Sequence, residues 1–275
     1  TQRPQRAELL LTADSRYRLW VNGQPVARGP ARCYPHAQRV DRLDITPLLQ
    51  AGANLLAVQV YQPGYSHFAY VHRGNAGVLA LLRCDGQVAL ITGADWRTRR
   101  DQSYVQQPAS RMSIYQAGVE DRTMALSESW IAPEYDDNGW SSARVVAEVG
   151  AAPWLELIER GLPLMVERQQ PMALRWMRCG PYSSDDGDAH AALRKSWPAG
   201  ADVLESAMAG EITDGARVAS DDDGWFDVSL AQDQAATWVF DLGRAYTCLG
   251  WVDVQGALGG ERVIVSYSEK LAGDG

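Results

Sequence analysis

The sequence predicts an all-β fold: a jelly-roll or galactose-binding-like β-sandwich followed by a second, incomplete β-sandwich. Three observations predict it. Two alternating segments are joined through Asn22-Gly23, and two more through Asp85-Gly86, the dipeptides that supply the positive φ angles of tight hairpin turns. Short apolar runs recur with turn residues between them, and no series of paired amphipathic helices is present. The aromatic content is ten Trp and eleven Tyr against three Phe. These rings carry a hydrogen-bonding handle, and they suit both the core of a large sandwich and a sugar-binding surface.

The elements follow in order. Ala7 to Thr12 is a short apolar strand. Tyr17, Leu19 and Val21 alternate with Arg18 and Trp20, the period-two pattern of a half-buried strand. Gln24 to Ala27 returns from the turn, and Gly29-Pro30 ends the hairpin because proline donates no ladder hydrogen bond. Arg39 to Leu43 is a further strand. Asp44-Ile45-Thr46-Pro47 opens one helical turn, with Thr46 as its cap and Pro47 at the first helical position. Asn54 to Tyr61 is a strong strand. Gly77 to Arg83 and Gln87 to Thr92 form the second hairpin, and Trp96 to Arg100 continues the sheet. In the turn Glu134 to Trp140, the aspartates bind local backbone and Trp140 plugs the sandwich. Ala143 to Val149 is the closing strand. These elements place a first sandwich at residues 1–150, a linker at 151–171 and part of a second sandwich at 172–275. In the second part strands are expected at Thr237 to Asp241, Gly250 to Gln255 and Val263 to Tyr267, with acidic loops at Gly180 to Asp188 and Asp221 to Asp223.

Composition narrows the function. The 275 residues carry 26 basic and 34 acidic side chains, a net charge of −8, which argues against a nucleic-acid binder held by phosphate contacts. No run approaches the roughly 18 apolar residues of a membrane helix. No basic-then-apolar leader opens the chain, so cytoplasmic and periplasmic locations both stay open. Cys33, Cys84, Cys179 and Cys248 are widely spaced and form no C-x-x-C pair, which reads as scattered thiols. No glycine-rich phosphate loop and no nucleophile elbow occur. The sequence starts at Thr1 without methionine, which is expected of a processed chain or a fragment.

Two places can carry binding chemistry. The loop Gln62 to Gly74 gathers Tyr65, His67, Phe68, Tyr70 and His72 directly after Tyr61. Such rings can stack on a sugar or pack against a neighbouring domain. No histidine pair comes with a third ligand at zinc spacing. The second place is Asp14, just before the first hairpin. An aspartate there can fix the turn or face a ligand.

Several stretches, taken together, resemble one family. TADSRYRLWVNGQPVARGPAR and DRLDITPLLQAGANLLAVQVY are followed in order by GADWRTR, PEYDDNGWSSARVV, PWLELIERGLPLMVER and VFDLGRAYTCLGWVDVQGALGGERVIVSYSEKLAGDG. This ordered set resembles the N-terminal β-sandwich region of bacterial α-L-rhamnosidases of glycoside hydrolase family 78. The resemblance implies a hydrolase that removes terminal α-L-rhamnose by an inverting mechanism, with the catalytic acids on an (α/α)6 barrel. That barrel is not in this sequence. The expectation is therefore an accessory, non-catalytic region whose partners are a downstream barrel and rhamnose-containing glycans; a stand-alone carbohydrate-binding module is the alternative. Some family sandwiches bind rhamnose with calcium through an aspartate-asparagine pair. The matching position is Asp14, a possible calcium ligand, but Ser15 replaces the asparagine. No catalytic residue is expected: Glu120/Asp121, Asp136/Asp137 and Asp221 to Asp223 lie in turn-like stretches, where carboxylates cap backbone. The candidate ligand-binding residues are thus Asp14, Tyr65, His67 and Tyr70.

Overall fold

The computed structural model describes residues 2–72, 74, 76–106, 118–126, 129–166, 168, 172–181, 217–220, 226–231, 234–248, 250, 252–265 and 267. It is all-β, and among the described residues no helix is long and apolar enough to cross a membrane. The chain divides into two compact units, Thr1–Val166 and Glu167–Gly275.

The first unit is a sandwich of two sheets. Strand β1 (Ala7–Asp14) lies between β4 (Gln38–Asp44) and β6 (Gly77–Cys84), both antiparallel to it. β7 (Gln87–Ile91) follows β6 through the Asp85-Gly86 turn, where φ is 50° and 83°. The other sheet has β2 (Arg16–Val21) between β3 (Gln24–Gly29) and β5 (Leu56–Tyr61). Its turn at Asn22-Gly23 has φ of 50° and 79°, the geometry expected of that dipeptide. Asn22 also accepts from Leu55 N at 2.8 Å and donates to Leu48 O at 2.9 Å, tying the turn to the approach of β5.

Alternation decides what is buried. Ala7, Leu9, Leu11 and Ala13 of β1 face Tyr17, Leu19 and Val21 of β2, and all belong to one core with Leu43, Ile45, Ala80 and Leu82. The chain between β4 and β5 makes a 3-10 turn at Thr46–Leu48. Thr46 is not its cap: Ile45 holds that position without a side-chain bond, and the Asp44 carboxylate just before it accepts from Thr46 N at 2.9 Å and from the Thr46 hydroxyl at 2.5 Å. These bonds hold the Asp44 carboxyl below its ordinary pKa. Thr46 faces inward instead, where its Oγ1 accepts from Ala7 N at 2.8 Å.

The stretch following residue 150 is built into this unit. Trp154 is only 2% exposed. Strand β10 (Leu157–Glu159) pairs in parallel with β4, with Gln38 N donating to Glu156 O at 2.8 Å and Arg160 N to Val40 O at 2.9 Å. Arg160 then reaches inward to Asp41, which is fully buried: Nε donates to Oδ1 at 2.6 Å and Nη2 to Oδ2 at 3.4 Å. The Tyr17 hydroxyl donates to the same carboxylate. Gly29 is required beside them, because a Cβ there would collide with the Asp41 carboxylate and the Tyr17 ring.

Several sequence expectations are corrected. Trp140 is half-buried rather than a plug; it leans on Trp130 (6.4 Å between centroids) and Tyr135 (5.9 Å), and Trp130 meets Trp20 of β2 at 5.3 Å. The region expected to close the sheet yields only β8 (Arg97–Thr98) paired with β9 (Ser141–Ser142). Beyond Ala143 no ladder forms through Val149, and Val145 and Val149 stay 57% and 58% exposed because no sheet face lies beneath them.

In the second unit, β11 (Ala173–Pro181) pairs with β14 (Gln234–Asp241), and β12 (Arg217–Ser220) with β13 (Phe226–Ser229). Phe226 joins the pairs through its ring, 5.7 Å from Trp238 and 6.2 Å from Phe240. β11 was not anticipated, since RWMRC breaks the alternation expected of a strand. Gly250 to Gln255 and Val263 to Tyr267 form no ladder among the described residues, and their valines remain about half exposed. Asp221 to Asp223 and most of Gly180 to Asp188 lie outside the described residues.

Candidate functional site

Topology gathers one group of chain ends. β1 ends at Asp14, β3 at Gly29 and β5 at Tyr61, while β2 starts at Arg16, β4 at Gln38 and β6 at Gly77. Antiparallel pairing sets Asp14 opposite Gly77, Tyr17 opposite Gly29 and Arg16 opposite Tyr61. All six therefore meet at one end of the sandwich. Two long loops emerge there: residues 30–37 between β3 and β4, and residues 62–76 between β5 and β6. Such loops, carried on a rigid scaffold, are where binding residues collect.

The β5–β6 loop brings three predicted residues together. His67 and Tyr70 exchange backbone hydrogen bonds at 2.9 and 3.0 Å, closing a tight turn. Their rings lie 5.9 Å apart, with Tyr65 6.4 Å from His67 and His72 6.4 Å from Tyr70. The result is a ladder, Tyr65–His67–Tyr70–His72, half-buried along its length. His67 Nδ1 accepts from Ala69 N at 3.3 Å, and Ser66 Oγ accepts from His72 N at 3.0 Å, so the rings are held by their own backbone. Beside the ladder, burial pushes the Tyr61 phenol up, helped by Tyr65 and Glu120 and opposed by Arg16.

The β3–β4 loop contributes residues the sequence reading passed over. Arg32 Nη2 donates to Phe68 O at 3.2 Å, and its guanidinium carbon lies 6.0 Å from the Phe68 ring centre. Tyr34 and His36 stack nearly parallel, 12° apart in plane and 5.7 Å between centres. Tyr34 is 73% exposed and Phe68 66%. A signal for them existed: Tyr34-Pro35-His36 is an aromatic-histidine pair fixed by a proline. Its partnership with the other loop depends on sheet order and is not visible along the chain.

Asp14 sits differently. It is fully buried. Because it opposes Gly77, the two residues face the same side of the sheet, and Trp154 occupies that side: a Cβ on Gly77 would stand 3.0 Å from Trp154 Cζ2. Trp154 thus covers the sheet face that Asp14 shares with Gly77. Neighbouring oxygens are engaged. Thr12 Oγ1 donates to Arg39 O at 2.6 Å and accepts from Gln38 Nε2 at 3.0 Å, Gln38 also binds Ala13 O at 3.0 Å, and Ser15 Oγ donates to Tyr61 O at 3.3 Å. No group of three His, Cys, Asp or Glu converges anywhere among the described residues. A calcium ion wants six or more oxygens, and the donors around Asp14 do not fit one.

Of the carboxylates singled out in the sequence, Asp136 caps backbone, its Oδ1 accepting from Asn138 N at 3.0 Å, while Asp137 takes part in the turn through its main-chain O, which accepts from Trp140 N at 2.8 Å. Glu8 and Glu159 share Arg42 at 2.5 Å each, and Asp85 caps Gln5 N and Arg6 N at 3.0 and 2.9 Å.

Comparison with known proteins followed the same unit. The sequence model of the family described as "Alpha-L-rhamnosidase N-terminal domain" matches residues 2–157. The chain is 28% identical over 149 residues to an alpha-L-rhamnosidase of Streptomyces avermitilis, covering 54% of this chain and 12% of that protein. It is similar in structure to a GH78 family rhamnosidase of Bacillus sp. GL1, with a TM-score of 0.60 and 36% identity over 62% of this chain and 18% of that one. The chain therefore spans less than a fifth of the length of these relatives.

Proposed function

Since the chain belongs to the α-L-rhamnosidase N-terminal domain family, we propose that it is the non-catalytic accessory region of a longer α-L-rhamnosidase. In this reading a separate catalytic domain, the (α/α)6 barrel, removes terminal rhamnose from glycans with inversion, and this chain scaffolds it. The observation that carries the reading is the employment of the carboxylates. Inversion needs a general acid and a general base about 6.5–9.5 Å apart with room for water between them. Here Asp41 is sealed against Arg160, Glu8 and Glu159 grip Arg42, and Asp44, Asp85 and Asp136 cap backbone. Carboxylates so engaged serve the fold, as caps of backbone and partners of arginine.

The 275-residue chain alone is expected to give no turnover of an aryl α-L-rhamnoside. Activity that follows the chain through successive purification steps would overturn the reading. The rings gathered at the loop end favour a second role alongside scaffolding: recognition of a sugar by Tyr65, His67 and Tyr70 together with the more exposed Tyr34 and Phe68, with Asp14 supporting the loop from within rather than touching the ligand.

A further inference from the structure

Charge is distributed unevenly along this chain. It has 34 acidic residues in all, yet none between Ser15 and Val40 and none between Ile45 and Cys84. Both loops of the candidate site fall in these stretches. The same stretches hold Arg16, Arg28 and Arg32, and three of the four histidines, His36, His67 and His72. An acidic protein thus presents cationic, aromatic loops at one end of its first sandwich, where Glu156 and Glu120 also stand, the first beside Gln38 and the second near enough to act on Tyr61.

The arrangement of that surface is specific. Tyr34 and Phe68 offer large exposed ring faces from two different loops. Arg32, two residues before Tyr34 in the same loop, is fastened to Phe68 O by one nitrogen, and it has no carboxylate partner among the described residues. A guanidinium is a planar fork matched to a carboxylate, and it is anchored here so that little freedom is lost on pairing. Aromatic faces beside it suit the apolar face of a pyranose ring.

We propose that the Arg32–Tyr34–Phe68 surface binds a carboxylated saccharide, with the pyranose ring on the aromatic faces and its uronate group on Arg32. This rests on the sugar-recognition reading above and names its ligand class. A neutral sugar would leave the guanidinium without its match.

The test is calorimetric titration of the full 275-residue chain with a galacturonic-acid trisaccharide, beside its methyl ester and neutral L-rhamnose. The free acid is expected to bind, the ester and the neutral sugar at least about tenfold more weakly. Arg32→Ala should weaken the acid about tenfold, and Tyr34→Ala roughly threefold or more. Both side chains are exposed, so unchanged melting curves will show that the variants fold. Added salt should weaken binding by the acid alone. Three results would overturn the proposal: no binding of the acid at millimolar concentration, equal binding of acid and ester, or full affinity in both variants. The rhamnoside assay reads the accessory role separately, so the two readings can fail independently.

Discussion

Arg160→Ala is expected to destabilise the first unit by about 3–5 kcal/mol, the loss seen when one partner leaves a buried ion pair. The reason lies in what remains. Asp41 is fully buried and would keep only the Tyr17 hydroxyl, with its charge otherwise uncompensated. Urea unfolding monitored by near-UV circular dichroism measures the loss. A transition unchanged from the parent would mean that water reaches Asp41 and that the pair contributes little. An apolar double replacement, Asp41→Leu with Arg160→Met, should cost less than the two single changes summed, because no orphaned charge is left behind. Tyr17 adds a pH signature. Burial, with the hydrogen bond to Asp41, holds its phenol far above the ordinary value of 10.0. A raised native pKa gives stability that is full below the unfolded pKa and is lost as pH rises past it. Stability should therefore decline above about pH 10, and Tyr17→Phe should decline less steeply over that range.

The second large effect is expected at Trp154. Trp154→Ala should cost about 3–5 kcal/mol, as for a fully buried large aromatic. Two effects combine. The indole fills the space left by the missing side chain of Gly77, and its removal leaves a cavity there. It also covers the sheet face that Asp14 and Gly77 share, at the base of the binding loops. Thermal melting checks the first effect. A melting temperature within one degree of the parent would show that the site collapses without a cavity. Trp140 offers the contrast: half-buried against Trp130 and Tyr135, it should lose only the smaller pairwise aromatic energy, about 0.5–1.5 kcal/mol per pair.

What the sequence disclosed, and what it hid, follows from the range of the interactions. Both hairpins could be read because Asn22-Gly23 and Asp85-Gly86 determine their turns locally, and alternation fixed which side of β2 is buried. Trp154 and Arg160 could not. They lie in a proline-bracketed, charged stretch that looks like linker, and their burial depends on Asp41 and Gly77, more than 75 residues away. Trp140 and Trp154 are alike as letters, and only packing decides which is enclosed. At the candidate site, Tyr65, His67 and Tyr70 were legible because one loop holds them all. Arg32 and Tyr34 joined them only once sheet order brought a second loop alongside. Asp14 was visible as a residue before a turn, but its full burial was not.

The parallel pairing of β10 with β4 has a consequence for the exposure of a sheet edge. The five-stranded sheet runs β10-β4-β1-β6-β7, so β4 would be an edge strand without β10, with its unpaired N–H and C=O groups open to a second molecule. The chain covers that edge with its own continuation, and Arg160 pins the cover from inside. A shorter chain ending at Gly150 would bare the edge, empty the Trp154 site and leave Asp41 unpaired together. The natural stopping point for the isolated domain is therefore past Val166, and a cut at the earlier position is a recipe for edge-to-edge aggregation rather than for a smaller soluble domain.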